Sequence, residues 1–357
     1  MQVIDIEAGA TPARVGSQPD TPLPRVDKAK SIDWYRSPVD ARELKRLYER
    51  SDAKGLAQTL GYLGVLVIIA SMAWYSWLHE PWWLTALLVF LYGTCFAFQI
   101  NAVHELGHGT VFKTKWLNVL FVHVFAFLGW INHRMFDSSH VRHHRSTLHP
   151  PDDLEVVLPM NATLKDFLKF GFVNPAGPRH VLLFMTRIAR GRFEGEWELK
   201  LYPEQQVEKR RAAVSWARIV LAGHGLIVAA AIVFHLWMVP VLITLAPFYG
   251  GWLHFLCNQT QHIGLQDNVS DFRLCCRTFI PNPLVRFIYW HMNYHTEHHM
   301  YVGVPCYNLN RLRKLIEHDL PPAPRGIAAT WREIGAILEK QAADPAYRHQ
   351  AELPLSL

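Results

Sequence analysis

The chain has 357 residues, half of them hydrophobic, with 13 Trp, 20 His and five Cys; 36 Lys and Arg against 30 Asp and Glu give a net charge of +6. So apolar and Trp-rich a composition argues against an ordinary soluble enzyme, and no patterned basic helix points to nucleic acid as a partner. Cys275 and Cys276 are adjacent and Cys95, Cys257 and Cys306 are scattered, so no CxxC pairing supports a cysteine-bound zinc or iron–sulfur site.

In chain order, the first fifty residues carry no continuous apolar core, and no cleavable signal peptide is expected. Pro12, Pro19, Pro22 and Pro24 mark an irregular arm, and a charged helix is expected over about Asp40–Arg50. Residues 1–55 are read as a cytoplasmic N-terminal arm. Gly55 to Phe112 contains no Lys or Arg. That block holds two membrane-spanning helices of about 20 residues each, placed near Ala57–Leu78 and Trp83–Val103. Trp77, Trp82 and Trp83 flank the short turn between them as interfacial aromatics. The next apolar stretch, Trp116–Ile131, is short for a span and is flanked by Lys113, Lys115 and Arg134. A crossing there would put the histidines before and after it on opposite membrane faces, so it is read as re-entrant or interfacial.

Between Arg145 and Arg211 the chain mixes turns with amphipathic stretches. Leu164, Phe167 and Leu168 fall on one side of a helix and Lys165, Asp166 and Lys169 elsewhere, which suits a helix lying at the membrane surface. A second block without Lys or Arg, Ile219 to Phe272, holds spans near Ile219–Leu236 and Val239–Cys257. Cytoplasmic segments of membrane proteins carry the excess of basic residues, and all 36 here lie outside the two blocks. Both termini are therefore placed in the cytoplasm. Residues 56–320 form the expected membrane-bound catalytic domain and 321–357 a cytoplasmic C-terminal tail. The expected fold is an all-α integral membrane protein, with four transmembrane helices in two hairpins and a cytoplasmic helical cap.

Three histidine clusters carry the chemistry. His104 and His108 form HxxxH; His140, His143 and His144 form HxxHH; His295, His298 and His299 form a second HxxHH. Residues three and four apart share a helix face, so each box aims two or three imidazoles one way. Asn258 and His262, four apart at the end of the last expected span, add a fourth element. Nine imidazoles and an amide exceed what one tetrahedral zinc uses. They suit two metal ions, with iron, zinc, copper and nickel all open. An imidazole-rich set adds no negative charge and leaves its metals strongly oxidising. Such a centre can activate oxygen and take hydrogen from an unactivated C–H bond, which no side chain does unaided. Glu105, Asp137, Asp152, Asp153, Asp267, Asp271 and Glu297 lie near the boxes as candidate partners that orient imidazoles, none singled out. His254 is read as a packing residue.

The spacing, order and placement of these boxes resemble the membrane-bound fatty acid desaturase superfamily, over roughly Trp83 to Leu320. The runs QHIGL (Gln261–Leu265) and NYHTEHHMYVGVP (Asn293–Pro305) look most like its bacterial desaturase-like branch, which includes hydrocarbon oxygenases. The resemblance implies a non-haem di-iron centre with oxygen as co-substrate. His104, His108, His140, His143, His144, His262, His295, His298 and His299 would be its ligands, and Asn258 would act directly or through water. It also implies a lipid or alkyl substrate, a bacterial inner-membrane location and desaturation of a fatty acyl chain, with hydroxylation of an alkyl or acyl substrate second. His291, in register with His295, departs from the pattern and is left out of the site.

Two other readings compete. His104-Glu105-Leu106-Gly107-His108 fits the HExxH of a zinc metalloprotease, but leaves seven aligned histidines unexplained. A metal transporter would line a path across the membrane, whereas these histidines cluster at one face. Electrons should come from a separate ferredoxin, rubredoxin or cytochrome b5-like partner. No Cys set holds a cluster, and the nearest string to a haem-binding HPGG is His149-Pro150-Pro151-Asp152.

Overall fold

The computed structural model describes residues 32–160 and 162–354; the proline-marked arm falls among the first 31 and lies outside them. Among the described residues the regular structure is helical, with a few isolated bridges and no strand. The expected charged helix is α1 (Ala41–Leu47), begun by Asp40, whose carboxylate accepts the backbone N–H groups of Arg42 and Glu43. Ser51 caps α2 (Asp52–His79). Pro81 then leads into α3 (Trp82–Phe96), which continues after a short kink as α4 (Gln99–Gly107).

The stretch from Trp82 to Gly107, 26 residues, is long and apolar enough to cross a membrane, as is α2 with 28. At 1.5 Å per residue, 26 residues reach about 39 Å, roughly 9 Å more than the hydrocarbon thickness. Exposed Trp77, Trp82 and Trp83 hold the hairpin's turn at one interface, so the surplus falls at the other end. His104 and His108 lie at that end.

α5 (Lys115–Leu128) and α6 (His133–Ser146) follow, bent by 109°. Trp130 stands in the left-handed region at the bend, with φ 55°. Gly129 lets the α4 side chain of Gln99 press against the chain: an added Cβ would lie 2.0 Å from its Nε2. The bend brings the second box back to the first, with the His104 and His140 rings 4.2 Å apart. The two boxes share one side, as the re-entrant reading requires.

α7 (Leu164–Gly171) begins with a capping box between Thr163 and Asp166. The turn between it and α8 (Gly177–Ala189) forms a tip level with the middle of α3. There Phe172 stacks on Phe90 at 5.9 Å between centroids. α9 (Gly195–Leu201) and the long α10 (Val207–Val233) follow, and α10 is the third continuous span-length helix.

The fourth expected span, Val239–Cys257, is helical only in pieces. α11 (Met238–Leu242), a 3-10 turn at Ala246–Phe248 and α12 (Trp252–Asn258) share that length. Pro240 and Pro247 lack N–H donors, and Gly250 sits at φ 73°. Broken backbone at membrane depth must be satisfied by protein, and here the α7–α8 tip does it. Gly250 N–H donates to Phe172 O at 2.7 Å, and Asn174 N–H to Phe248 O at 2.8 Å. Trp130 Nε1 donates to Thr244 O at 2.9 Å. Thus α7 is more than a surface helix: the turn that follows it completes the broken segment.

The cap consists of α13 (Phe272–Cys275), α14 (Pro283–Ile288), α15 (His295–Met300), α16 (Leu309–Ile316) and α17 (Ile327–Ala343). The described part of the N-terminal arm lies over it: Trp34 stacks on Phe272 at 4.1 Å, and its indole donates to Arg145 O.

The broken return touches α3 through Gly93, where an added Cβ would sit 2.3 Å from the Tyr249 ring. Gly93→Ala should therefore cost about 1–3 kcal/mol and lower the melting temperature of the detergent-purified protein. Gly64→Ala, mid-helix with nothing within 4 Å of the new methyl, should leave it unchanged or raise it slightly.

Candidate metal centre

Each histidine box is placed by a different helix, and the four elements meet. α4 and its C-cap supply His104 and His108; α6 supplies His140, His143 and His144. The turn after α12 supplies His262, and α15 supplies His295, His298 and His299. The structure sorts these nine into two groups: His104, His108, His140, His144 and His298; and His143, His262, His295 and His299. Within each group one ring nitrogen per residue lies within 4.8 Å of all the others.

Neighbouring Nε2 atoms face one another closely. The distance is 2.9 Å for His140–His144, 3.1 Å for His144–His298, 2.9 Å for His262–His295 and 3.1 Å for His295–His299. Ligands about 2.1 Å from one ion and adjacent on it stand roughly 3.0–3.4 Å apart, so these spacings match a shared ion.

The outer nitrogens say which inner ones carry lone pairs. Nδ1 of His104 meets Glu105 Oε1 at 2.9 Å, Nδ1 of His140 meets Glu155 Oε1 at 2.9 Å, and Nδ1 of His143 meets Asp153 Oδ2 at 2.8 Å. His262 Nδ1 lies 2.7 Å from Cys275 O. His299 Nδ1 lies 3.1 Å from Thr147 Oγ1, whose own proton goes to His143 O. Ionised carboxylates and carbonyls only accept, so with Glu105, Asp153 and Glu155 ionised these five imidazoles donate outward from Nδ1 and turn a bare Nε2 lone pair inward. The buried His108 Nε2 has no hydrogen-bond partner. A cluster of buried lone pairs with too few protons between them is the donor set that a cation completes, so the residues fit a pair of metal ions.

Of the carboxylates considered from sequence, Glu105 and Asp153 touch imidazoles. Asp271 pairs with Arg273, Asp152 with Lys200, and Glu297 with Arg313. Asp267 approaches Arg348 at 3.9 Å. Glu155, which is not among those carboxylates, also touches an imidazole, and its signal in the sequence is the Asp153-x-Glu155 pair soon after the second box. Burial pushes the Asp153 carboxyl up, but His143 and the amides of Leu148 and Glu155 outweigh it and hold it below the usual range. Burial raises Glu155.

Glu105 bears on the HExxH reading, because it holds the back of His104 and lies 3.7 Å from His298 Nδ1. It therefore occupies the outer side of the imidazoles, where it orients rings. His254 packs edge-on against Phe98 at 5.3 Å and belongs to neither group, and His291, at φ 58°, likewise stands outside both. Asn258 ends α12, half-buried, one turn ahead of His262.

Residues 81–331 match the fatty acid desaturase family, a stretch holding all nine histidines. The chain belongs to the fatty acid desaturase family. Among its relatives is the dihydrorhizobitoxine desaturase of Bradyrhizobium elkanii, 26% identical over 268 residues, covering 70% of this chain and 72% of that protein. The protein is thus a membrane desaturase-family oxidoreductase with histidine clusters suited to two metal ions, which sets aside the protease and transporter readings.

Because the groups are distinct, single substitutions should act on one half. His298→Ala and His143→Ala should each lower the metal content of purified protein measured by elemental mass spectrometry, and each should abolish oxidation. Undiminished metal in both would break the assignment.

Proposed function

We propose that this protein removes two hydrogens from an aliphatic chain, a fatty acyl group, in an oxygen-dependent desaturation. The nine histidines would hold two non-haem iron ions, with Asn258 acting directly or through water. The observation that carries this reading is the convergence of inward Nε2 lone pairs in two buried groups. When bound, the iron pair supplies the oxygen activation and C–H oxidation that side chains lack.

The chain's own residues do the rest. Glu105, Asp153, Glu155, Thr147 and the Cys275 carbonyl hold imidazoles by their Nδ1–H groups, fixing tautomer and ring angle. Most of the nine rings are buried, which limits access of bulk water to the reacting carbons. The position of the centre at the end of α4, beside span-length helices, supports entry of an apolar chain from the bilayer. Electrons would come from a separate ferredoxin, rubredoxin or cytochrome-type protein on the cytoplasmic side. Family membership implies such a donor and a lipid-like substrate, and the relative named for a desaturation favours alkene over alcohol as the product.

Purified protein supplied with a deuterated acyl chain, oxygen and a reduced ferredoxin should yield an alkene lacking two deuterons, and none with NADPH alone. Formation only of an oxygen-18-labelled alcohol would decide for hydroxylation. The placement of both termini in the cytoplasm has its own check: cysteines introduced at Ala10 and Gln350 should resist an impermeant thiol reagent in intact cells. Labelling of one end alone would overturn that topology.

A further inference from the structure

Two carboxylates on one short loop, two residues apart, reach histidines of different groups. Glu155 Oε1 lies 2.9 Å from Nδ1 of His140, in the five-histidine group, and Asp153 Oδ2 lies 2.8 Å from Nδ1 of His143, in the four-histidine group. The acids are also joined to each other, since Asp153 Oδ1 accepts the Glu155 backbone N–H at 2.9 Å. Asp153 Oδ2 further accepts the Leu148 N–H at 2.8 Å, which ties the loop to the end of α6.

The loop is held from outside by α9. Trp197 Nε1 donates to Ser139 Oγ at 3.0 Å, and Ser139 donates to Glu155 Oε2 at 2.5 Å. Lys200 Nζ reaches Pro151 O and Asp152 Oδ1, at 2.5 and 3.1 Å. α9 is in turn fixed to α8 by the two-pronged Arg187–Glu198 pair, at 2.7 and 2.5 Å. An unbroken chain of contacts therefore runs from the half-buried indole of Trp197 to an imidazole of the five-histidine group.

On the two-iron reading above, we propose that the Asp153–Glu155 loop, clamped by α9, sets one imidazole in each metal position and so fixes the two positions relative to each other. Asp153 and Glu155 are positioning residues, each with its own half of the centre. Trp197 acts on the five-histidine half alone, through Ser139 and Glu155. A carboxylate behind a metal-bound imidazole fixes its orientation and raises its basicity, and its loss typically lowers metal affinity 10- to 100-fold. The wiring predicts that this loss falls on one iron at a time.

The test uses full-length protein in detergent, stripped with a chelator and refilled with iron-57. Mössbauer spectra read the two sites, and chelator competition reads their affinities. The signal lost in His298→Ala assigns the five-histidine position. Glu155→Gln should weaken iron there about 10- to 100-fold and alter that signal alone, while Asp153→Asn should do the same at the other position. Trp197→Phe should alter the same signal as Glu155→Gln with a smaller loss of affinity, which keeps the test open should Asp153→Asn fail to fold. Equal weakening of both irons by Glu155→Gln, or a Trp197→Phe spectrum identical to wild type, overturns the proposal. Wild-type protein that takes up fewer than two irons overturns the two-iron reading, and this proposal with it.

Discussion

Nine imidazoles, most of them buried, can crowd together only if something other than water answers their inward nitrogens. An unpaired buried polar atom costs on the order of 1–3 kcal/mol, and here several ring nitrogens face one another at about 3 Å. Much of the surrounding structure serves that arrangement. Carboxylates, a hydroxyl and a carbonyl take up outer protons, so the inner atoms are left as acceptors with a cation as their natural counterpart. The fold holds those acceptors in place before the cation arrives. It also keeps the two groups distinct, since each draws rings from both HxxHH boxes.

A second constraint comes from the membrane, where backbone has to find its partners within the protein. The long first hairpin meets it by helix, interrupted only at the short kink between α3 and α4. The return after α10 does not, because Pro240, Pro247 and the paired glycines 250 and 251 interrupt it. Its free amides and carbonyls are matched by the turn between α7 and α8 and by the indole of Trp130. The break has a use: α12 starts anew beside α3, where Trp252 Nε1 donates to Thr94 Oγ1, and is aimed at the turn bearing His262.

Much of this was legible in the sequence, because the signals were periodic or compositional. The blocks without Lys or Arg located the long helices, and histidines three and four apart announced rings on one face. The 16-residue length and basic flanks of Trp116–Ile131 set it apart from the continuous spans, and the chain there is bent by 109°. What stayed hidden was carried by contacts distant in sequence. Hydropathy over Val239–Cys257 reads as a span, since a mean over a window does not register where Pro and Gly break a helix. Glu155 is fifteen residues from His140 in an irregular loop, and no periodicity links them. The separation of nine rings into five and four is also invisible in the boxes, because α6 sends His140 and His144 one way and His143 the other.

The order of the boxes along the chain gives the centre a history in time. Four members of the five-histidine group, His104, His108, His140 and His144, are made before α10 exists. The four-histidine group has only His143 at that stage. About 150 residues separate the second box from the third, and at synthesis rates of roughly 5–20 residues per second that gap lasts about 8–30 s. During it four of the five residues of one group already exist, against one of the four in the other, so the larger group depends on the late-made third box for a single ring and the smaller group for two.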